Sequence, residues 1–337
     1  MIIIDGSEGE GGGQILRNAL ALSLITAQPF RIHNIRAGRE RPGLMRQHVT
    51  AIEAAVAIGG AECDGLAIGA SEILFRPGKV VPGDYHFAVG TAGSAGLVLQ
   101  TVLPPLMLAE TPSRVVMEGG THNLQAPPFE FLERCFLPLI NRMGPQVSAQ
   151  LVRHGFYPLG GGRMEIDIVP APLRRLECLE RGVLRAQRVV ALIAGLPGDI
   201  ARREIDAVRK LLDWPDGSFS IAELPEDRGP GNVLLLEAEF DQVTEIVAGF
   251  GKLGTSAESL AKTATARMVG YLASPAFAGP YLADQLVMPF ALAGGGAFST
   301  VKPSNHTRSA ADIVKTFLDR VCRIEQQPGG THLISIR

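Results

Sequence analysis

One structural unit, two βα steps followed by a hairpin, recurs three times along the chain, and this repetition constrains the fold more than any single motif. The first copy opens with a strand at Ile2–Ile4, a glycine-rich turn and a helix at Gln14–Ile25. A strand at Phe30–Ile35, a polar loop, a helix at Leu44–Ile58 and two strands ending near Phe75 complete the order βαβαββ. The second copy has a strand at Asp84–Val89, the turn Gly90–Gly96, a helix at Leu97–Leu108 and a strand at Arg114–Glu118. A helix at Pro128–Met143 and strands near Gln146–Arg153 and Arg163–Ile168 finish it. The third shows a helix at Tyr281–Ala293, a strand at Phe298–Val301, a polar loop holding His306 and a helix at Ala310–Val321. Strands near Arg323–Gln326 and Thr331–Ile336 follow, and its first strand is assigned near Arg174–Cys178.

The second strand of each copy begins at Phe30, Arg114 and Phe298, so 84 residues separate the first pair and 184 the next. The surplus of 100 residues predicts a block inserted between repeats two and three. Its own pattern is a strand at Arg188–Ala194, a helix at Ile200–Leu212, strands at Ser218–Ala222 and Val233–Phe240, a short strand, and a helix at Ala257–Leu272. The turn Asp227–Asn232 punctuates it. The expectation is an α/β (α+β) protein with mixed parallel and antiparallel sheets. Residues 1–182 plus 276–337 would form a large domain of three βαβαββ units, and 183–275 an inserted smaller α/β domain. A chain of 337 residues is long enough for two cores.

A net charge of -2 excludes a uniformly basic nucleic-acid binder, so any contact with RNA or nucleotide must come from local arginines. No apolar run is long enough to span a bilayer, and Met1–Asp5 carries no basic flank, so it reads as a first strand and not a signal peptide. The four cysteines are scattered, with no pair at metal-ligand spacing. That predicts reduced thiols in a cytoplasmic protein and argues against a zinc site.

Where the copies align, polar residues stand out. Arg17, Gln100 and Gln285 fall thirteen or fourteen residues before the next strand in their respective copies. Three copies around a pseudo-symmetric core would bring the loops Arg36–Gln47, Gly119–Pro128 and Lys302–Ser309 to one side. The first of these carries Arg36, Arg39, Arg41 and Arg46 against a single acid, Glu40. Guanidinium forks suit phosphate oxygens, and a cluster of them suits a triphosphate or an RNA end. Gln47 and His48 follow on the same helical turn as Arg46, with His48 suited either to the site or to the core.

Gly6–Gln14 joins a strand to a helix, where glycines let backbone N–H groups form an anion nest. No lysine follows in the manner of a phosphate-binding loop. Glu10 inside such a nest makes sense if it holds a divalent cation bridging phosphate oxygens, and a tight turn with solvated glutamates is the alternative. Pro127 offers a flat wall for a base or simply precedes a helix. Tyr281 and Asp284 could hold the adenine and ribose of a nucleotide or start their helix. The stretch Arg153–Gly162 reads as a strand ending in a flexible hairpin with an exposed aromatic pair. His306, flanked by hydroxyl and amide residues with Arg308 nearby, is the candidate covalent nucleophile, because a neutral, well-aimed imidazole can take up a phosphoryl or nucleotidyl group.

Taken together these motifs resemble the RNA 3′-terminal phosphate cyclase family. The likeness runs through Asp5-Gly6 with Gly9–Gln14, Ile35–Arg39, Arg46-Gln47-His48, Arg153–Pro158 with its triple glycine, Tyr281–Gln285 and the His306 segment. The resemblance implies ATP and a divalent metal, Mg or Mn, as cofactors and RNA 3′-phosphate ends as partner, with no membrane. It implies conversion of the end to a 2′,3′-cyclic phosphodiester through an AMP–histidine at His306. By the same likeness Glu10 is metal-associated, and Arg17, Arg36, Arg39, Gln47 and His48 belong to the phosphate site. Gln100, Pro127, Tyr281, Asp284 and Gln285 then surround the nucleotide. One departure lies at Ile246-Val247-Ala248, where some relatives place a phenylalanine against adenine; here Phe250 follows a little further on. A cyclase-like, non-catalytic ribosome-assembly protein is the rival reading, and His306 is the discriminator, since those relatives lack the nucleophile. An enolpyruvyl transferase, built from similar units, needs about twice as many repeats and no adenylated histidine.

Overall fold

Strand β1 (Ile2–Asp5) pairs in parallel with β2 (Phe30–His33), which pairs antiparallel with β4 (Ile73–Arg76), and β4 in turn with β3 (Glu62–Asp64). The order β1-β2-β4-β3 is then repeated in the computed structural model, which describes the backbone of all 337 residues and every side chain except that of Arg228. In the second sheet β5 (Asp84–Ala88), β6 (Ser113–Gly119), β8 (Gly162–Val169) and β7 (Gln146–Arg153) follow the same sequence of neighbours. So do β9 (Leu176–Cys178), β14 (Gly296–Thr300), β16 (His332–Ile336) and β15 (Cys322–Gln326) in the third. The third copy's first strand is where the sequence puts it: Leu176–Cys178 lies parallel to Gly296–Phe298.

The helices of the repeats meet one another beneath the sheets. Helix α1 (Gly13–Thr26) is mostly apolar and buried from Ile15 to Leu24 except at Asn18, as befits a central helix. It packs on α2 (Arg46–Gly59), α3 (Ala95–Met107) and α9 (Asn305–Leu318), and α8 (Pro280–Leu292) packs on α9. Between β9 and α8 runs a fourth sheet of order β11-β10-β12-β13, made of β10 (Leu184–Ala194), β11 (Phe219–Leu224), β12 (Gly231–Phe240) and β13 (Thr244–Phe250). One face, with Val189, Ala191, Ile193, Leu234 and Leu236, packs on α6 (Asp199–Arg209) and α7 (Ala257–Leu272). The other, with Leu192, Val233, Leu235 and Ile246, joins the main core. A strand buried on both faces reads as a continuous apolar run, which is what Val233–Leu236 shows.

Three of the differences from the sequence reading have a clear local reason. His306 lies in the first turn of α9 and not in a loop ahead of it, because Ser304 caps the helix before its apolar periodicity starts at Ala310. The same helix stops at Leu318, where Asp319 turns left-handed (φ 49°), and does not reach Val321. The predicted helix 128–143 is divided into α4 (Phe129–Phe131), a π turn at Leu132–Phe136, and α5 (Leu137–Met143). Pro138 has no N–H to give, so the wider turn forms just ahead of it. No helix among the described residues is long and apolar enough to cross a membrane, and the four cysteines are free thiols.

Candidate active site

The first turn of α9 is held from below by Asp284 on α8. Ser304 Oγ accepts the Thr307 N–H at 3.1 Å and donates to Asp284 Oδ1 at 2.6 Å, while Thr307 Oγ1 donates to the same oxygen at 2.5 Å. Burial raises the Asp284 carboxyl above its ordinary range, against those two hydrogen bonds. His306 projects from this turn half-exposed, and its Nδ1 stands 2.6 Å from Gln14 Oε1 and 3.6 Å from Glu10 Oε2. An amide oxygen only accepts, so in the neutral ring Nδ1 carries the proton and Nε2 keeps its lone pair.

Gln14 and Glu10 are positioned by the glycine turn. The Glu10 N–H donates to Ser309 Oγ at 2.8 Å, one helical turn beyond His306, and the Gln14 N–H donates to Glu10 Oε1 at 3.1 Å. Arg39 Nη2 donates to both Glu10 Oε2 and the Glu10 carbonyl at 2.7 Å. The acid that partners an arginine of the cluster is therefore Glu10, from another loop, and not the adjacent Glu40. A Cβ on Gly12 would fall 2.3 Å from Glu10 Oε2 and 2.7 Å from Arg39 Nη2, so any larger residue there would displace the Glu10–Arg39 pair.

Beneath lies a layer of buried cation and imidazole. Arg17 is buried and its Nε has no hydrogen-bond partner; burial pulls its pKa down to about 10, opposed by the Glu10 charge, and it remains a cation at neutral pH. His48 is also buried and accepts the Met45 N–H at Nδ1, 3.0 Å away. Burial first, then the charges of Arg17 and Arg36, push its pKa down to about 3, so it is neutral. Arg36 takes up a left-handed backbone (φ 55°) and donates through Nη1 to the carbonyls of Arg41 at 2.6 Å and Gly43 at 2.8 Å. Burial, then Arg39, depress its pKa. Gln47 Oε1 accepts from the N–H of Ser94, the cap of α3, and so ties the first repeat to the second.

All twelve residues singled out in the sequence line one cavity of about 1480 Å³. Arg17, Gln100 and Gln285, equivalent in the three repeats, reach it from α1, α3 and α8. Pro127 and Tyr281 line it too, and so do Tyr157 and Pro158 from the hairpin read as flexible. From β13 come Ile246, Ala248 and Phe250, whereas Val247 points into the core of the fourth sheet. Strand alternation therefore gives the cavity an aromatic ring, Phe250, two residues beyond the aliphatic position. Two residues to which the sequence assigns no role complete the site: Gln14, which orients His306, and Ser309, which docks the glycine turn. Gln14 belongs to the glycine motif, but nothing in its local pattern says that a residue 292 positions away is its partner.

A family model described as RNA 3′-terminal phosphate cyclase matches residues 8–324, a span that takes in all twelve. The chain belongs to that family. Relatives named RNA 3′-terminal phosphate cyclase occur in Koribacter versatilis (52% identical over 319 residues, 94% of this chain and 90% of the relative) and Ectopseudomonas mendocina (48% over 338 residues, 97% and 98%). A third, in Pseudomonas fluorescens, is 46% identical over 337 residues, covering 100% of this chain and 97% of the relative. Family membership therefore embraces both the three repeats and the residues of the fourth sheet.

Proposed function

We propose that the protein is an ATP-dependent ligase that converts an RNA 3′-terminal phosphate to a 2′,3′-cyclic phosphodiester through a covalent His306–AMP intermediate. The observation that carries this reading is the 2.6 Å contact of His306 Nδ1 with Gln14 Oε1 at the edge of an arginine-lined cavity. It leaves Nε2 as the atom that attacks the α-phosphorus of ATP. A P–N bond forms there as the bond to the β-phosphate oxygen breaks and pyrophosphate leaves. An oxygen of the RNA 3′-phosphate next attacks the same phosphorus, breaking the P–N bond and returning the imidazole. The neighbouring 2′-hydroxyl then attacks the activated 3′-phosphorus, loses its proton to water, and expels AMP. That hydroxyl is already beside the phosphorus, so effective molarity carries the last step without a strong base.

Arg17, with its buried unpaired Nε, and Arg36 are the groups that suit the triphosphate, and Gln100, Pro127, Tyr281, Asp284 and Gln285 the rest of the nucleotide. A Mg or Mn ion fits beside Glu10, whose carboxylate is nearly enclosed and lies on the His306 side of the cavity. Such an ion would supply charge neutralisation for the phosphates. Residues 183–275 are read as an inserted domain that offers Phe250 to the cavity, with 1–182 plus 276–337 as the catalytic domain, and the enzyme as cytoplasmic. Retention of His306 and the arginines weighs against a purely binding role in ribosome assembly.

Incubation with α-labelled ATP and Mg²⁺ or Mn²⁺ should give protein-bound label that is acid-labile and base-stable, lost in His306→Ala. A 3′-phosphorylated oligonucleotide should then become resistant to phosphatase. Wild-type protein that takes no label would sink the proposal and favour the binding-module reading.

A further inference from the structure

Outside the cavity lining described above, three side chains from separate segments converge at the root of its wall. His122 follows β6, Glu130 sits in the short helix α4, and His154 immediately follows β7. One ligand-type atom from each lies within 4.8 Å of the other two. His122 Nε2 stands 3.2 and 2.9 Å from the two Glu130 oxygens, and the His122 and His154 rings stack with centroids 5.1 Å apart. The His122 side chain is fully enclosed and that of Glu130 is 12% exposed.

We infer that His122, Glu130 and His154 form a binding site for a divalent transition cation of the zinc class. Two imidazoles and one carboxylate are a ligand set that suits zinc, with a fourth position left for water. In a tetrahedral site with bonds of about 2.0–2.2 Å, ligand atoms stand roughly 3.3 Å apart. The His122–Glu130 pair is already near that spacing, and the His154 ligand atom, within 4.8 Å of the other two, has to draw in by no more than about 1.5 Å.

The surroundings supply the outer contacts such a site needs. His122 Nδ1 lies 2.8 Å from Thr121 Oγ1, which also accepts the Gly155 N–H at 2.9 Å. With a cation at Nε2 the ring's proton sits on Nδ1 and is donated to that hydroxyl, whose own hydrogen points towards the Gly155 carbonyl. The cation replaces the proton shared between His122 and Glu130. Cysteine spacing gives no sign of this site because it holds no cysteine. It ties the roots of the Asn123–Pro128 and Tyr157-Pro158 segments, both of which line the cavity. The inference does not depend on the reaction proposed above.

Chelator-stripped protein titrated with Co²⁺ should bind one equivalent that develops visible d–d bands of a low-coordinate site. His154→Gln and Glu130→Gln should lose that equivalent and its bands, whereas Glu10→Gln and His306→Ala should retain them. X-ray absorption of the zinc-loaded wild type should show imidazole scattering from two histidines. Absence of the bands in wild type, binding unchanged in both variants, or a metal shell without imidazole would overturn the assignment and leave a simple His122–Glu130 hydrogen bond.

Discussion

His306 Nδ1 and Gln14 Oε1 are 2.6 Å apart although 292 residues separate them in sequence. The contact joins the last repeat to the first and sets which imidazole nitrogen is available. A turn cap beneath (Ser304 on Asp284) and a side-chain acceptor above leave the ring one orientation and one tautomer.

Gln14→Met keeps the length of the side chain and removes the acceptor. Either tautomer then becomes accessible and the ring turns more freely. The rate of label transfer from α-labelled ATP should fall by roughly 10–100-fold, the scale on which hydrogen-bond partners that orient metal-bound imidazoles act. ATP affinity, measured by equilibrium binding, should change little, because Gln14 acts through His306.

Gly9 and Ser309 should be energetically coupled. Gly9 has a left-handed backbone (φ 59°), and a Cβ there would lie 2.2 Å from Ser309 Oγ. Gly9→Ala should destabilise by about 1–3 kcal/mol, and Ser309→Ala by about 1 kcal/mol through loss of the Glu10 N–H bond. In the double variant the hydroxyl that clashes is gone. The Gly9→Ala cost measured by denaturant unfolding in the Ser309→Ala background should therefore be smaller than in the wild-type background. Strict additivity would show that the two do not meet.

Much of this arrangement was legible in the chain. The shared βαβαββ order and the 84-residue interval from Phe30 to Arg114 gave the repeat, and the longer interval to Phe298 gave the length of the intervening block. Arg17, Gln100 and Gln285 could be matched because each copy keeps helix and strand in step. Pairings across repeats were not legible: that Arg39 would seek Glu10 and not Glu40, or that Gln47 would accept from Ser94, depends on how three units close around α1. The boundary at His306 was missed because apolar periodicity begins only at Ala310, while the helix starts at the Ser304 cap. Phe250 needed the direction of β13, which sends Ile246, Ala248 and Phe250 to one side and Val247 to the other.

His48 should make the protein acid-sensitive. Its pKa is about 3 in the folded protein and near the ordinary 6.5 when unfolded, so between those values the unfolded chain binds more protons. Stability is thus fully present above pH 6.5 and declines as pH falls towards 3, by about 1.4 kcal/mol per pH unit at most. Gln at the same helix position can reach back to the Met45 N–H without titrating. The difference in Tm between pH 7 and pH 5 should shrink in His48→Gln relative to wild type; an unchanged difference would place the acid sensitivity elsewhere.

Glu245 should act in the opposite sense. It is 1% exposed on β13 and accepts the Gly279 N–H, at the cap of α8, through Oε2 at 3.0 Å. Burial lifts its pKa to about 8, against that hydrogen bond. Between about 4.5 and 8 the folded protein holds a proton that the unfolded chain has released, so stability contributed by this site falls as pH rises through that window. Glu245→Gln keeps an acceptor for Gly279 and has nothing to titrate. Near pH 5 the two proteins should unfold at similar denaturant concentrations. By pH 8 the variant should be the more stable, by up to a few kcal/mol, roughly 1.4 for each unit of the window crossed. The strand that carries Glu245 also presents Phe250 to the cavity, so the variant's gain at high pH should appear as slower hydrogen exchange along β13 before it appears elsewhere. A variant whose advantage did not grow with pH would mean that Glu245 is ionised in the native protein, and that the seam between the fourth sheet and α8 holds a charge instead of a proton.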